Sequence, residues 1–224
     1  MEKANITDTA KAAASNTHSV KPKPIYDFVK RVFDIVCSLI GLIVLSPVFI
    51  IISILIKTTS EGPVFFAHKR VGKDGKTIKI YKFRSMVTNA EELIKQFTPE
   101  QKAEYEKNFK LENDPRVTKV GKFMRKTSLD ELPQLINILK GDISVVGPRP
   151  VMDVETKIYG NYRNMLLSVK PGLTGFWAAN GRSATTYTRR RAMEIYYVKN
   201  RSVLLDLKII FKTFISVFKR VGAV

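Results

Sequence analysis

The 224-residue chain has a single cysteine, Cys37, and only two histidines, His18 and His68. One cysteine excludes an intramolecular disulfide, and its apolar surroundings mark Cys37 as a packing residue. The histidines stand far apart, without cysteines at metal-binding spacing, which argues against a zinc site. Acidic residues are scarce: 20 Asp and Glu face 38 Lys and Arg, leaving a formal charge of +18. That balance calls for an anionic partner: nucleic acid, acidic lipid or a phosphorylated substrate. The basic residues are spread along the chain and form no nucleic-acid-binding motif, so nucleic acid is the weaker reading. The length fits one sizeable domain.

Charge is also missing locally. Residues 35–56, IVCSLIGLIVLSPVFIIISILI, are 22 residues without a charged side chain. As a straight helix they would extend about 33 Å, enough to cross a bilayer core. A single spanning helix is one reading. Against it, Ser46-Pro47 breaks the middle, because Pro47 cannot donate to the carbonyl of Ile43; Ser46 or a water could satisfy that carbonyl at a kink. Both flanks are basic, with Lys21, Lys23, Lys30 and Arg31 before and Lys57, Lys69, Arg70 and Lys73 after. Flanking cations favour the cytosolic side. A bent helix that enters and leaves one leaflet satisfies both features. Residues 1–24 read as a mobile polar tail; the apolar stretch begins too late and runs too long for a signal peptide.

The densest chemistry lies in Arg125–Pro150, RKTSLDELPQLINILKGDISVVGPRP. Asp130 and Glu131 are adjacent, preceded by Arg125 and Lys126 and followed by Arg149 in a Gly-Pro-Arg-Pro turn. Structurally, Ser128-x-x-Glu131 fits a capping box, Leu132, Leu135, Ile136 and Leu139 recur at helical spacing, and Gly141 is a natural stop. Either Ser128 or Asp130 serves as N-cap, and both carboxylates then lie at a helix N-terminus, which favours their ionised form. Chemically, an ionised Asp can attack phosphorus, a neighbouring carboxylate can hold Mg²⁺, and arginines can clamp phosphate oxygens.

Elsewhere, VFFAHKRV and TIKIYKFR flank Gly72–Lys76 and predict a β-hairpin with Ile78, Ile80 and Lys82 on one face. Thr88-x-x-Glu91 and Thr98-x-x-Gln101 predict capping boxes opening helices over 89–97 and 99–110, a solvated insertion. Arg116 reads as a surface charge, with a phosphate ligand as the alternative. Residues 152–167 read as one helix. The C-terminal segment is amphipathic, with Leu204, Leu207, Ile210, Phe211, Phe214 and Phe218 on one face and Lys208, Lys212, Ser216 and Lys219 on the other; core packing and an interfacial position fit equally.

KTSLDELPQLINILKGDISVVGPRP, preceded by KRVFDIVCSLIGLIVLSPVF and followed by KPGLTGFWAANGRS, closely resembles the bacterial sugar transferases, the monotopic phosphoglycosyl transferases. The resemblance covers roughly Lys30 to Ala223. It implies an α+β, mostly helical monotopic membrane protein: a tail (1–24), a re-entrant helix broken at Ser46 and Pro47 (25–58), and a cytosolic catalytic domain with interfacial helices (59–224). It implies transfer of a sugar 1-phosphate from a UDP-sugar to polyprenyl phosphate at the cytoplasmic face of the bacterial plasma membrane, initiating glycan assembly. Asp130 would be the nucleophile and Glu131 the Mg²⁺ ligand. Arg125, Arg149, Arg182 and Lys82 would bind phosphate or nucleotide, and Lys82 and Arg84 of YKFRSM would lie near the site. Ala178 departs from the family, where Gln is common. The partners expected are UDP-sugar, polyprenyl phosphate and membrane lipids, not nucleic acid; an apolar helix on a small domain also invites a homodimer.

Overall fold

The computed structural model describes residues 20–108, 111, 113–181 and 185–218. The expected mobility of the tail concerns residues that mostly lie outside that range; residues 20–23 are described, and Lys23 Nζ donates to the Arg201 carbonyl. The fold is α+β and mostly helical.

The uncharged run forms two helices, α1 (Pro24–Val44) and α2 (Ser46–Thr59), bent by 60° at the expected break. Ser46 Oγ donates to the Ile43 carbonyl at 2.8 Å, supplying the bond that Pro47 cannot. Neither helix alone is long and apolar enough to cross a membrane; by length and composition the bent pair is. Much of its apolar surface is exposed, including Phe28, Val32, Ile40, Ile43, Ile50 and Ile54.

Polar groups on the other face of α1 dock it to the body. Arg31 caps the last carbonyls of a helix, donating to Ile138 and Leu139 at 2.7 and 2.9 Å. Asp34 is buried and accepts from Ser144 Oγ and Val145 N. Lys30 and Tyr26 both donate to Asp206.

The hairpin forms as expected: β1 (Phe65–Val71) pairs antiparallel with β2 (Thr77–Phe83), with Phe66 opposite Lys82. Asp74 and Gly75 turn the chain with positive φ. Arg84 does not reach the site; it brackets the end of α2, donating to the Ser60 carbonyl and Oγ and to the Glu61 carbonyl.

In the insertion, α3 (Ala90–Lys95) begins after Asn89 with no side-chain cap, so the Thr88 box does not form. The Thr98–Gln101 box opening α4 (Pro99–Asn108) does, with both reciprocal bonds. Arg116 is neither a surface charge nor a phosphate ligand. It is buried, forked onto Asp114, and its guanidinium lies over the Phe97 and Tyr105 rings. Arg116 thus helps fasten the insertion to the body.

Helix α5 (Lys119–Thr127) ends at Ser128 in the left-handed conformation; a 3₁₀ turn (Leu129–Glu131) follows, then α6 (Gln134–Lys140) with Pro133 as N-cap. Neither expected cap is used. Ser128 closes the preceding helix instead, and Pro133 at the boundary has no helical bond to lose. The buried face of α6 also differs from the leucine stripe: Gln134, Asn137 and Ile138 point inward. Asn137 accepts from Tyr81 N at 2.9 Å and donates to the Lys79 carbonyl at 2.7 Å, behaving like a neighbouring strand toward β2.

A parallel pair, β3 (Ser144–Val146) and β4 (Gly172–Thr174), seats the Gly-Pro-Arg-Pro turn. Gly147 abuts the Gly172 and Gly175 backbones, where a methyl group would collide. Between them, residues 152–167 do not form one helix. Gly160 (φ 49°) breaks the run into α7 (Asp153–Thr156), a 3₁₀ stretch (Lys157–Tyr162) and α8 (Arg163–Leu167). Helices α9 (Phe176–Ala179), α10 (Tyr187–Asn200) and α11 (Val203–Phe218) complete the chain. On α11, Asp206 and Ile209 face the body, while Leu204, Leu207, Phe211 and Phe214 are exposed. Of the predicted apolar face, Ile210 packs against the core and the other four described side chains do not.

Candidate active site

The 3₁₀ turn holds Asp130 and Glu131 because its flanking apolar residues are anchored. Leu129 and Leu132 pack on Ile52, Ile56, Phe83 and Met124, which joins α2, β2 and α5 beneath the turn. Asp130 is 7 % exposed, while Glu131 lines a cleft. Lys82, fixed on β2 by the Asn137 clamp one residue away, serves both. Its Nζ is 2.7 Å from Glu131 Oε1 and 3.8 Å from Asp130 Oδ2.

Burial pushes the Asp130 carboxyl above its ordinary range, and the Lys82 charge opposes that shift. This corrects the expectation that the turn favours the ionised form: desolvation outweighs it. Arg125 is near enough to stabilise the Asp130 charge, and donates from Nε to Ser85 Oγ at 3.0 Å. Ser85 is itself held where α5 meets the end of the hairpin, as Gly121 lies so close to the Ser85 carbonyl that a side chain would clash. Lys82, Arg125, Asp130 and Glu131 thus come together.

Arg149 stands elsewhere along the same open cleft, about 510 Å³ in extent, whose walls include Arg70, Ile80, Lys82, Glu131, Thr174 and Trp177. Here are residues that sequence reasoning missed. The guanidiniums of Arg149 and Arg190 lie over the Trp177 ring, 5.6 and 4.9 Å from its centre. Glu155 pairs with Arg70 at 3.3 Å and with Arg190 at 3.4 Å. Burial and the nearby Arg149 push Arg70 down to about 10. Glu194 accepts from Arg149 N at 3.1 Å and is pushed up to about 7 by burial. The only trace in the sequence is the run Arg189-Arg190-Arg191, which has no motif around it. Arg182 lies outside the described residues. Ala178, the departure from the family pattern, lines the cleft beside Trp177.

Among the described residues no group of three His, Cys, Asp or Glu could cage a metal. Mg²⁺ commonly takes one or two carboxylates and completes its shell with phosphate oxygens and water, and Glu131 at the cleft wall fits that mode, sharing its charge with Lys82.

The family model described as bacterial sugar transferase matches residues 25–220. The chain is similar to the undecaprenyl-phosphate galactose phosphotransferase of Salmonella typhimurium, 49 % identical over 199 residues, covering 88 % of this chain and 42 % of that protein. It is similar to the exopolysaccharide production protein ExoY of Sinorhizobium fredii, 44 % identical over 194 residues, covering 85 % and 86 %. It is also similar to the UDP-glucose:undecaprenyl-phosphate glucose-1-phosphate transferase of Klebsiella pneumoniae, 43 % identical over 196 residues, covering 82 % and 39 %. The chain thus spans less than half the length of the first and third of these relatives and most of ExoY. With the family model matching residues 25–220, the chain belongs to the bacterial sugar transferase family.

Proposed function

We propose that this protein transfers a sugar 1-phosphate from a UDP-sugar to undecaprenyl phosphate, the first membrane-bound step of a bacterial polysaccharide. The observation that carries this reading is the buried Asp130 carboxylate 3.8 Å from Lys82, which with Glu131, Arg70 and Arg149 lines the cleft. An Asp oxygen attacks the β-phosphorus. The bond from that phosphorus to the bridging oxygen breaks, and UMP departs. The phosphosugar stays on Asp130 as an acyl phosphate, until an oxygen of undecaprenyl phosphate attacks the same phosphorus and frees the carboxylate. Two displacements at one centre give ping-pong kinetics.

Lys82 and Arg125 favour the ionised Asp130 that attack requires. Arg149 and Arg182 would hold phosphate oxygens. Mg²⁺ held by Glu131 would shield the pyrophosphate charge. The bent α1–α2 pair enters and leaves the cytoplasmic leaflet, and the exposed apolar face of α11 lies at the same interface. The basic flanks, the 60° bend and the exposed apolar surface support this placement. Family relatives named for undecaprenyl phosphate support the acceptor.

The test is to offer detergent-solubilised protein a panel of UDP-sugars with undecaprenyl phosphate and Mg²⁺ and to read UMP release. Mass spectrometry of protein trapped with donor alone should find the phosphosugar on Asp130. An Asp130→Asn variant at full turnover would refute the nucleophile.

A further inference from the structure

The arginine end of the cleft contains a carboxylate that the proposed transfer does not use. Glu194 lines the cleft beside Arg149, yet it is buried. One oxygen accepts the Arg149 N–H; the other, Oε2, has no hydrogen-bond partner among the described residues. Such an acceptor is costly to leave open, and more so when charged. A phosphate drawn to Arg70 and Arg149 would meet the ionised carboxylate as a like charge. A protonated Glu194 would remove that repulsion, and Oε2 would become a donor.

We infer that Glu194 is a positioning residue that holds the Gly147–Pro150 turn through Arg149 and takes one proton from solvent when a phosphate enters the arginine end. This rests on the proposed transfer and refines it: the group bound there is the phosphate of the nucleotide. The proton returns to solvent when the nucleotide leaves.

Burial already brings Glu194 to about 7, against the opposing pull of the Arg149 N–H and the Arg190 and Arg149 charges. An arriving anion raises it further. Of the groups around it, burial pushes Tyr159 up to about 12 and His68 below its usual value, and Arg70 stays near 10, so these three do not change charge between pH 7 and 8.5. Glu155 pairs with Arg70 and Arg190. The sign follows. At pH 7 free Glu194 is partly protonated and at pH 8.5 ionised, so nucleotide affinity falls as pH rises across that window.

Titration calorimetry of the full chain with UMP, dianionic above about pH 7, tests this in buffers of differing ionisation heat. Uptake close to one proton at pH 8.5 is expected, with affinity falling about tenfold from pH 7 to 8.5. E194Q should abolish both and bind UMP more tightly than wild type at pH 8.5, an outcome a merely structural role would not produce. Equal uptake in E194Q, or uptake lost in D130N, overturns the assignment; if E194Q does not fold, the wild-type and D130N titrations still decide. UMP release without proton uptake sinks this inference and leaves the transfer standing. Proton-coupled UMP binding without transfer from any UDP-sugar supports the inference and sinks the transfer.

Discussion

At one end of the cleft stand Lys82 and Glu131, with Asp130 buried beside Lys82, drawn from one strand and one turn. At the other stand Arg70, Arg149, Trp177 and Glu194, backed by Glu155 and Arg190, drawn from five separate segments. The first end concentrates its chemistry in two adjacent residues and needs tertiary structure mainly to bring up a lysine. The second exists only after β1, the Gly-Pro-Arg-Pro turn, α7, α9 and α10 have met. The first leaves a carboxylate desolvated and only partly compensated. The second sets three cations around two carboxylates.

If the ends divide chemistry from grip, substitutions should separate them. Asp130→Asn should lower UMP release by at least about 10³-fold, with nucleotide binding retained. Arg149→Ala or Arg70→Gln should instead lower kcat/KM about ten- to hundredfold, mostly through KM, as expected for one lost charged hydrogen bond. Initial rates at varied donor concentration check both; equal losses in kcat at the two ends would erase the division. Lys82→Met sharpens the first end. Lys82 lowers the raised Asp130 pKa, so its removal should move the acidic limb of the pH–rate profile upward and leave less ionised nucleophile at neutral pH. A limb that stays in place would separate Lys82 from Asp130 electrostatically.

Asn137→Ala tests the scaffold between the ends. It strands the buried Tyr81 N–H and Lys79 carbonyl and should cost about 1–3 kcal/mol for each group left unpaired. Thermal unfolding followed by circular dichroism would measure it. Ser46→Ala should have the smallest effect, about 0.5–1.5 kcal/mol, since it removes one exposed bond at the bend. A UMP-release rate within twofold of wild type is expected.

The contrast also explains what could be read in advance. The broken apolar run, the hairpin and the Asp-Glu turn each announce themselves over a few consecutive residues: a proline in an uncharged stretch, glycines between alternating strands, two acids beside basic residues. Asn137 escaped because helical periodicity scores leucines, whereas a strand edge needed an amide at the centre of α6. Arg116 looked like any surface cation because its partners Phe97 and Tyr105 arrive from the insertion. Glu194 and Arg190 were invisible for the same reason, since nothing in RRRAMEI tells which side chains a tryptophan at 177 will meet. Caps failed at Ser128 and Thr88 because the pattern for beginning a helix also appears where one ends or a loop intervenes.

The anchoring of α1 has a mechanical corollary. Arg31 grips the end of α6, Asp34 grips β3, and Lys30 and Tyr26 grip α11, so the greasy arm has no hinge of its own at its base. Whatever medium receives that arm therefore dictates how high the cleft rides above it and at what angle. A thinner or thicker slab of lipid would tilt the whole machine, and turnover in vesicles of graded acyl-chain length should trace an optimum instead of a plateau.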